Sequence, residues 1–249
     1  MKPLIIIVSL MLIFPFAFAN AQNAKEIITK MHETTRGESS FAEMSMTIER
    51  PRFSRDVSIR SWSLGDDFSL IQITAPARDE GTSFLKRGNE IWNFVPTVDR
   101  TIKMPPSMMS QSWMGSDFTN DDLVRESSII EDYEHTFLRM EEVDGRQAYV
   151  IQMIPKPDTP IVWGKVIVWV DAEDFFQHRV ENFDQRNELA STMVFDEIQN
   201  LGGRILPARI TMIPANRPNQ RTIIRYQQMQ FDIDISESFF SQQNMRRRH

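Results

Sequence analysis

The sequence predicts a mainly β fold: an antiparallel meander that curls into an open or closed barrel, with one or two helices over its mouth. Three observations carry this. After Gly37 the apolar pattern has period two almost to the end of the chain, the mark of half-buried strands. The segments with that pattern are separated by short stretches rich in Gly, Asn and Asp, at hairpin spacing. Helical periodicity is confined to two places, too little for an α/β enzyme fold. A long antiparallel meander must close or curl to protect its edges.

Taken in order, the chain begins with Lys2 and an apolar run from Leu4 to Phe18. Ala17-Phe18-Ala19 and Ala19-Asn20-Ala21 are small-x-small cleavage sites, so residues 1–21 read as a secretory signal peptide cut near Ala21. The run is short for a spanning helix, which needs about 20 residues. Residues 22–249 then form a single exported domain, periplasmic in a Gram-negative cell. With no cysteine in the chain, disulfides and lipidation after the signal are both excluded. The formal charge of -6 argues against nucleic acid as a partner.

Asn23 to Arg36 reads as an amphipathic helix with Ile27, Ile28 and Met31 on one face and Gly37 as its stop. Strand candidates follow. Phe41 to Ile48, Val57 to Leu64, Phe68 to Thr74, Thr82 to Lys86, Glu90 to Val95 and Thr101 to Met104 make up the first set. Thr136 to Glu142, Gln147 to Ile154, Lys165 to Val170, Phe176 to Phe183, Leu189 to Leu201, Arg204 to Ile213 and Arg221 to Asp232 make up the second. About ten or eleven strands are expected from them. Gly65-Asp66, Arg87-Gly88-Asn89, Asp144-Gly145 and Gly202-Gly203 supply the turns.

Pro105 to Leu123 stands apart. It is a connection between strands, yet it carries Met108, Met109, Trp113, Met114 and Phe118. Long connections in compact domains tend to be lids or binding loops, and methionine suits a surface that repacks around apolar ligands. The alternative is a loop that plugs its own core. Thr119 fits a helix N-cap with Asp122 three residues on, which predicts a short lid helix from Asn120 to about Glu126.

Catalytic constellations are scarce. There is no thiol, no phosphate-cradling glycine loop, and Gly115-Ser116-Asp117 lacks the second glycine of a nucleophile elbow. His32, His135, His178 and His249 lack metal-ligand spacing, and Asp117, Asp121 and Asp122 miss the calcium-loop pattern. No catalytic residue, metal or cofactor is expected. Arg246-Arg247-Arg248 could touch anionic headgroups, but a frayed, solvated terminus explains it more simply. Large apolar residues gather in the first strand set: Trp62, Phe68, Leu70, Phe84, Trp92, Phe94 and Met104. If Trp92 and Phe94 point inward they line the concave side. A small barrel is otherwise filled by medium-sized side chains, so this bulk leans towards a cavity, with an ordinary barrel core as the alternative.

The run from Trp113 to Leu123, Trp-Met-Gly-Ser-Asp-Phe-Thr-Asn-Asp-Asp-Leu, resembles the signature of outer-membrane lipoprotein-sorting proteins, relatives of the periplasmic Lol-type carrier. Gly81 to Leu85, Ile91 to Pro96, Arg100 to Lys103, Val168 to Asp171, Leu206-Pro207 and Ile235 to Phe240 agree with it. The resemblance covers essentially residues 22–249. It implies a half-open antiparallel barrel closed by helices, with a hydrophobic cavity that shields acyl chains. It implies a carrier of lipid or lipoprotein acyl chains, with an inner-membrane transporter as donor and an outer-membrane acceptor; a monomer is expected. The residues expected to form cavity and lid are Trp62, Leu70, Phe84, Trp92, Phe94, Met104, Met108, Met109, Trp113, Met114 and Phe118. Two other readings stay open. One is a non-enzymatic accessory subunit docked on an inner-membrane exporter through the Met-Trp loop. The other is an enzyme using Asp117, Asp121 or Asp122.

Overall fold

The computed structural model describes residues 16–122, 129–159 and 161–247. Helix α1 (Phe16–Arg36) is followed by β1 (Ser39–Arg50), β2 (Phe53–Leu64), β3 (Phe68–Ala75), β4 (Ser83–Arg87), β5 (Glu90–Val95) and β6 (Arg100–Lys103). After the crossing segment come β7 (Tyr133–Val143), β8 (Arg146–Pro155), β9 (Lys165–Asp171), β10 (Gln177–Phe183), β11 (Leu189–Leu201), β12 (Arg204–Pro214) and β13 (Arg221–Phe231). Among the described residues the strands number thirteen, not ten or eleven. Even the shortest, β4 to β6, pair as separate members of one ladder.

All thirteen belong to one antiparallel sheet, which is not closed. Its order is β6-β5-β4-β3-β2-β1-β13-β12-β11-β10-β9-β8-β7. Two meanders therefore run outward from a central β1–β13 pair, and β6 and β7 are the two edges. This topology dictates the unusual middle segment. The connection between β6 and β7, described at residues 104–122 and 129–132, leaves one edge and returns at the other. Laid flat, thirteen strands would span on the order of 55–60 Å, so the connection has to cross a curled sheet.

The segment crosses on the inner face. Met109, Trp113 and Phe118 are 4, 1 and 3 % exposed and join Met46, Val57, Ile73 and Phe84 in one cluster. α1 covers the other part of the same face. Ala24, Ile27, Ile28 and Met31 pack on Ile151, Val166, Val168 and Val180 from β8 to β10. The helix stops at Gly37, whose N–H closes on the Glu33 carbonyl at 3.0 Å with φ +71°. A Cβ there would press on Asp232, Arg204 and Phe231 at 3.1–3.2 Å.

The expected leader lies mostly in residues 1–15, outside the described residues, and α1 runs on unbroken from Phe16 past Ala21. Among the described residues no helix is long and apolar enough to cross a membrane. The expected lid helix is not shown. Residues 120–122 are helical, and residues 123–128 lie outside the described residues. Its cap does form: the Thr119 N–H and hydroxyl donate to Asp122 Oδ2 at 2.7 and 2.8 Å, and the Asp122 N–H donates to Thr119 Oγ1 at 3.1 Å.

The frayed terminus expected at Arg246-Arg247-Arg248 is corrected at Arg246, which is docked, while Arg248 lies outside the described residues. Residues 235–247 lie along the outer face of β2 to β5, with Phe240 and Met245 fully buried against Leu70, Leu85 and Phe94. Arg246 pairs with Asp99 at 2.9 Å and stacks 5.0 Å over Phe94. Ser83 Oγ donates to the Met245 carbonyl at 2.5 Å, and Arg87 donates to that of Phe240 at 2.5 Å. Apolar residues on the outer face of β2 to β5 make this unavoidable, since a solvated tail would leave them in water.

A candidate ligand cavity under the crossing segment

Strand pairing sorts every side chain to one face. Met44 pairs with Ile59 and Ala42 with Ser61; Ser61 in turn pairs with Ile71, and Ile71 with Phe84. Directly paired residues share a face, and alternate residues lie on the other. The inner face of the first meander is thus Ala42, Met44, Met46, Val57, Ile59, Ile71, Ile73 and Phe84. The outer face carries Trp62, Leu70, Leu85, Trp92 and Phe94.

Between the inner face, α1 and the crossing segment lies a cavity of about 400 Å³. Met31 of α1 is above it, Trp113 and Phe118 close one side, and Trp163 enters from the β8–β9 connection. Its floor continues across the β1–β13 junction through Tyr226, Ile224, Ile210, Phe195, Met193, Val180 and Val168. The volume is within the range of small-molecule pockets, roughly 300–1,000 Å³, and the lining is predominantly apolar, as such sites usually are.

The eleven expected site residues divide between the two faces. Phe84, Met104, Met108, Met109, Trp113, Met114 and Phe118 come together in the inner cluster, with Trp113 and Phe118 on the cavity itself. Leu70, Trp92 and Phe94 pack under the C-terminal segment. Trp62 borders the cavity, yet its ring sits 5.3 Å from Phe41 and 5.6 Å from Phe239 on the outer side. Inward-pointing Trp92 and Phe94 are therefore corrected by register: both pair beside Leu85 and Ser83, outward residues of β4. The wall from the second meander was missed as a site. Alternation of Val166, Val168 and Val170 on β9 marked it only as a buried strand.

Several of the polar groups near the cavity are held by neighbours. Burial pushes the Asp122 carboxyl above the usual carboxylate range, against the Thr119 bonds and a Trp163 hydrogen bond that lower it. Burial likewise pushes the Tyr226 phenol up. His32 is drawn below its ordinary value by burial, against the Asp66 carboxylate 2.9 Å away. Asp117 is bound by Arg50 and Thr222 and is not part of the cavity lining, whereas Asp121 and Asp122 line the cavity. His135 meets the Ile129 carbonyl, and His178 meets Asp171. Among the described residues no group of three or more metal-ligating side chains gathers.

An open antiparallel sheet wrapped around an apolar cavity, under one helix and one crossing strap, defines the architectural class. A family model whose description reads "Uncharacterized protein" matches residues 65–247, and the chain belongs to that family. Three solved structures share the fold. An outer membrane lipoprotein-sorting protein domain from Vibrio parahaemolyticus is 24 % identical with TM-score 0.81, over 92 % of this chain and 100 % of its own. A DUF1329 family protein from Desulfovibrio piger is 21 % identical with TM-score 0.83, over 91 and 99 %. A LolA superfamily protein from Nitrosomonas europaea is 24 % identical with TM-score 0.75, over 88 and 98 %. The chain shares its fold with these three structures, in keeping with the resemblance carried by the Trp113 to Leu123 motif. No curated protein matches the chain significantly.

Proposed function

We propose that this protein is a non-catalytic periplasmic carrier that shields acyl chains, of a lipid or a lipoprotein, on their way towards the outer membrane. The observation that supports it best is the 400 Å³ apolar cavity between sheet, α1 and crossing segment. Burying one methylene of an acyl chain contributes about 0.8 kcal/mol, so a long chain brings on the order of 10 kcal/mol to such a site. An inner-membrane transporter as donor and an outer-membrane acceptor complete the reading. The leader expected in residues 1–21 supports export. The accessory-subunit reading asks the Met-Trp loop to be an exposed docking patch. That loop instead turns Met109, Trp113 and Phe118 onto the sheet.

Delipidated protein titrated with the apolar fluorophore 1-N-phenylnaphthylamine tests the carrier reading. Saturable binding at one site, displaced by long-chain acyl compounds and not by short-chain ones, is the expected result. No saturable binding, and no lipid in native mass spectra of the purified protein, would overturn it.

A further inference from the structure

The cavity wall is not uniformly apolar, and we infer that its polar side is a subsite for the uncharged ester carbonyl of an acyl lipid. The inference rests on the carrier reading and names the head of the ligand carried. Trp113 lines the cavity at 1 % exposure, and its indole N–H is buried with no hydrogen-bond partner among the described residues. An indole can only donate, so a ligand that satisfies it must bring an acceptor. A buried donor left unmade is costly to the empty protein, and that cost is removed when an acceptor arrives.

Two hydroxyls stand on the same side. The Trp113 ring packs 5.4 Å from Phe84, which shares a rung with Ile71 and Ser61. The neighbouring rung holds Ser40, Ser63 and Ser69. Ser40 and Ser63 satisfy each other at 2.7 Å. The hydroxyls of Ser61 and Ser69, both cavity-lining, make no hydrogen bond among the described residues. The far wall is formed by Val166, Val168, Val180 and Phe195, beneath Met31. Gln177 and Asn182 are its polar exceptions, and Asn182 gives its amide to Ser191 Oγ at 3.2 Å. A head at the Trp113–serine side and a chain along the valine wall match this division.

Charge selects the ester over the free acid. Arg36 at the serine end already faces Asp66 at 3.6 Å and donates to the Gly65 carbonyl at 3.1 Å. Asp121 and Asp122 add acidic side chains to the same cavity. Burial already drives the Asp122 carboxyl towards its neutral form, and a fatty carboxylate would have to be buried there as a charge, whereas an uncharged ester oxygen accepts from N–H and O–H without that penalty. Glycerolipids and lipidated proteins present the same ester.

The test is displacement of 1-N-phenylnaphthylamine by monopalmitoylglycerol, palmitate and a synthetic diacylated lipopeptide. Both esters should bind more tightly than palmitate. Trp113→Phe keeps an aromatic ring and removes the N–H; it should cut the ester-over-palmitate preference about fivefold. Ser61→Ala with Ser69→Ala should do the same and guards against a folding defect in the first variant. An unchanged preference in both variants, or palmitate binding more tightly than the esters to wild type, overturns the subsite. Failure of wild type to bind the fluorophore or any chain overturns the carrier reading itself. Either order of lipopeptide and glyceride supports the subsite and assigns the source of the ester.

Discussion

Arg50 on β1 donates to the carboxylate of Asp117 in the crossing segment at 2.9 Å, with side chains only 12 and 2 % exposed. Arg50 also donates to the Gly115 carbonyl at 2.8 Å. Asp117 takes a second bond from Thr222 Oγ1 at 2.8 Å, and its own N–H donates back to that oxygen at 2.9 Å. The turn at residues 115–118 is thus tied to the central β1–β13 pair. Phe118 and, through the Trp113 N–H to Phe118 carbonyl bond of 2.8 Å, Trp113 are held over the cavity.

Removing one partner of such a pair leaves the other charged and buried, which costs about 3–5 kcal/mol. Asp117→Ala is expected to lose stability in that range by urea unfolding. The double variant with Arg50→Ala should lose less than the sum of the two single changes. If the turn is the strap of a lid, Asp117→Ala also speeds association of 1-N-phenylnaphthylamine in stopped flow. An unchanged association rate would make the pair purely structural.

The strands were legible because their alternation is local. Ser45, Thr47 and Glu43 against Met44, Met46 and Ile48 state the two faces of β1 without any knowledge of its neighbours. Which face is inner was not legible for β4 and β5. Phe84 and Trp92 are both large and apolar, yet they face opposite sides of the sheet. The outer face is apolar there only because residues 235–247 return to cover it. Nothing near Trp92 in sequence announces Phe240. The crossing segment was recognisable as misplaced apolar surface, but its route from edge to edge follows from the strand order alone.

That returning segment predicts a large cost for a residue near the chain end. Phe240 is fully buried beside Phe68 and Phe239, at centroid distances of 5.7 and 5.4 Å. Phe240→Ala is expected to lose about 3–5 kcal/mol in chemical denaturation. It should also raise binding of a surface-hydrophobicity dye, since Leu70 and Leu85 lose their cover. A solvated tail would show neither effect.

Acid stability should depend on the Arg146–Asp171–His178 group of the second meander. Burial raises the Asp171 carboxyl. Arg146 at 2.6 Å, the N–H groups of Asp174 and Glu173, and His178 at 3.0 Å outweigh it and hold the group well below the usual carboxylate range. A carboxyl depressed in the fold stabilises it at pH above the unfolded value, about 3.9. That contribution is lost as pH falls through the folded value. Wild-type stability should therefore drop below about pH 4, and Asp171→Asn should be less stable at pH 7 with a flatter acid limb. Parallel acid limbs for the two proteins would sink this account.

A cavity can be told from loose packing by filling it. Ile210 on β12 touches both large inner clusters and lines the space between them, so added volume at this position enters the void. In a well-packed core, enlarging a side chain costs typically 1–3 kcal/mol through strain. In a void large enough to take the added atoms, the same change commonly adds roughly 0.5–2 kcal/mol. Ile210→Phe is therefore expected to keep or raise stability while weakening 1-N-phenylnaphthylamine binding at least tenfold, and the two readouts check each other. Lost stability with unchanged binding would mean that the site lies elsewhere. Raised stability with lost binding places the ligand between the β1–β3 wall and the valine wall of β9 and β10, where a single acyl chain would be shielded on both sides.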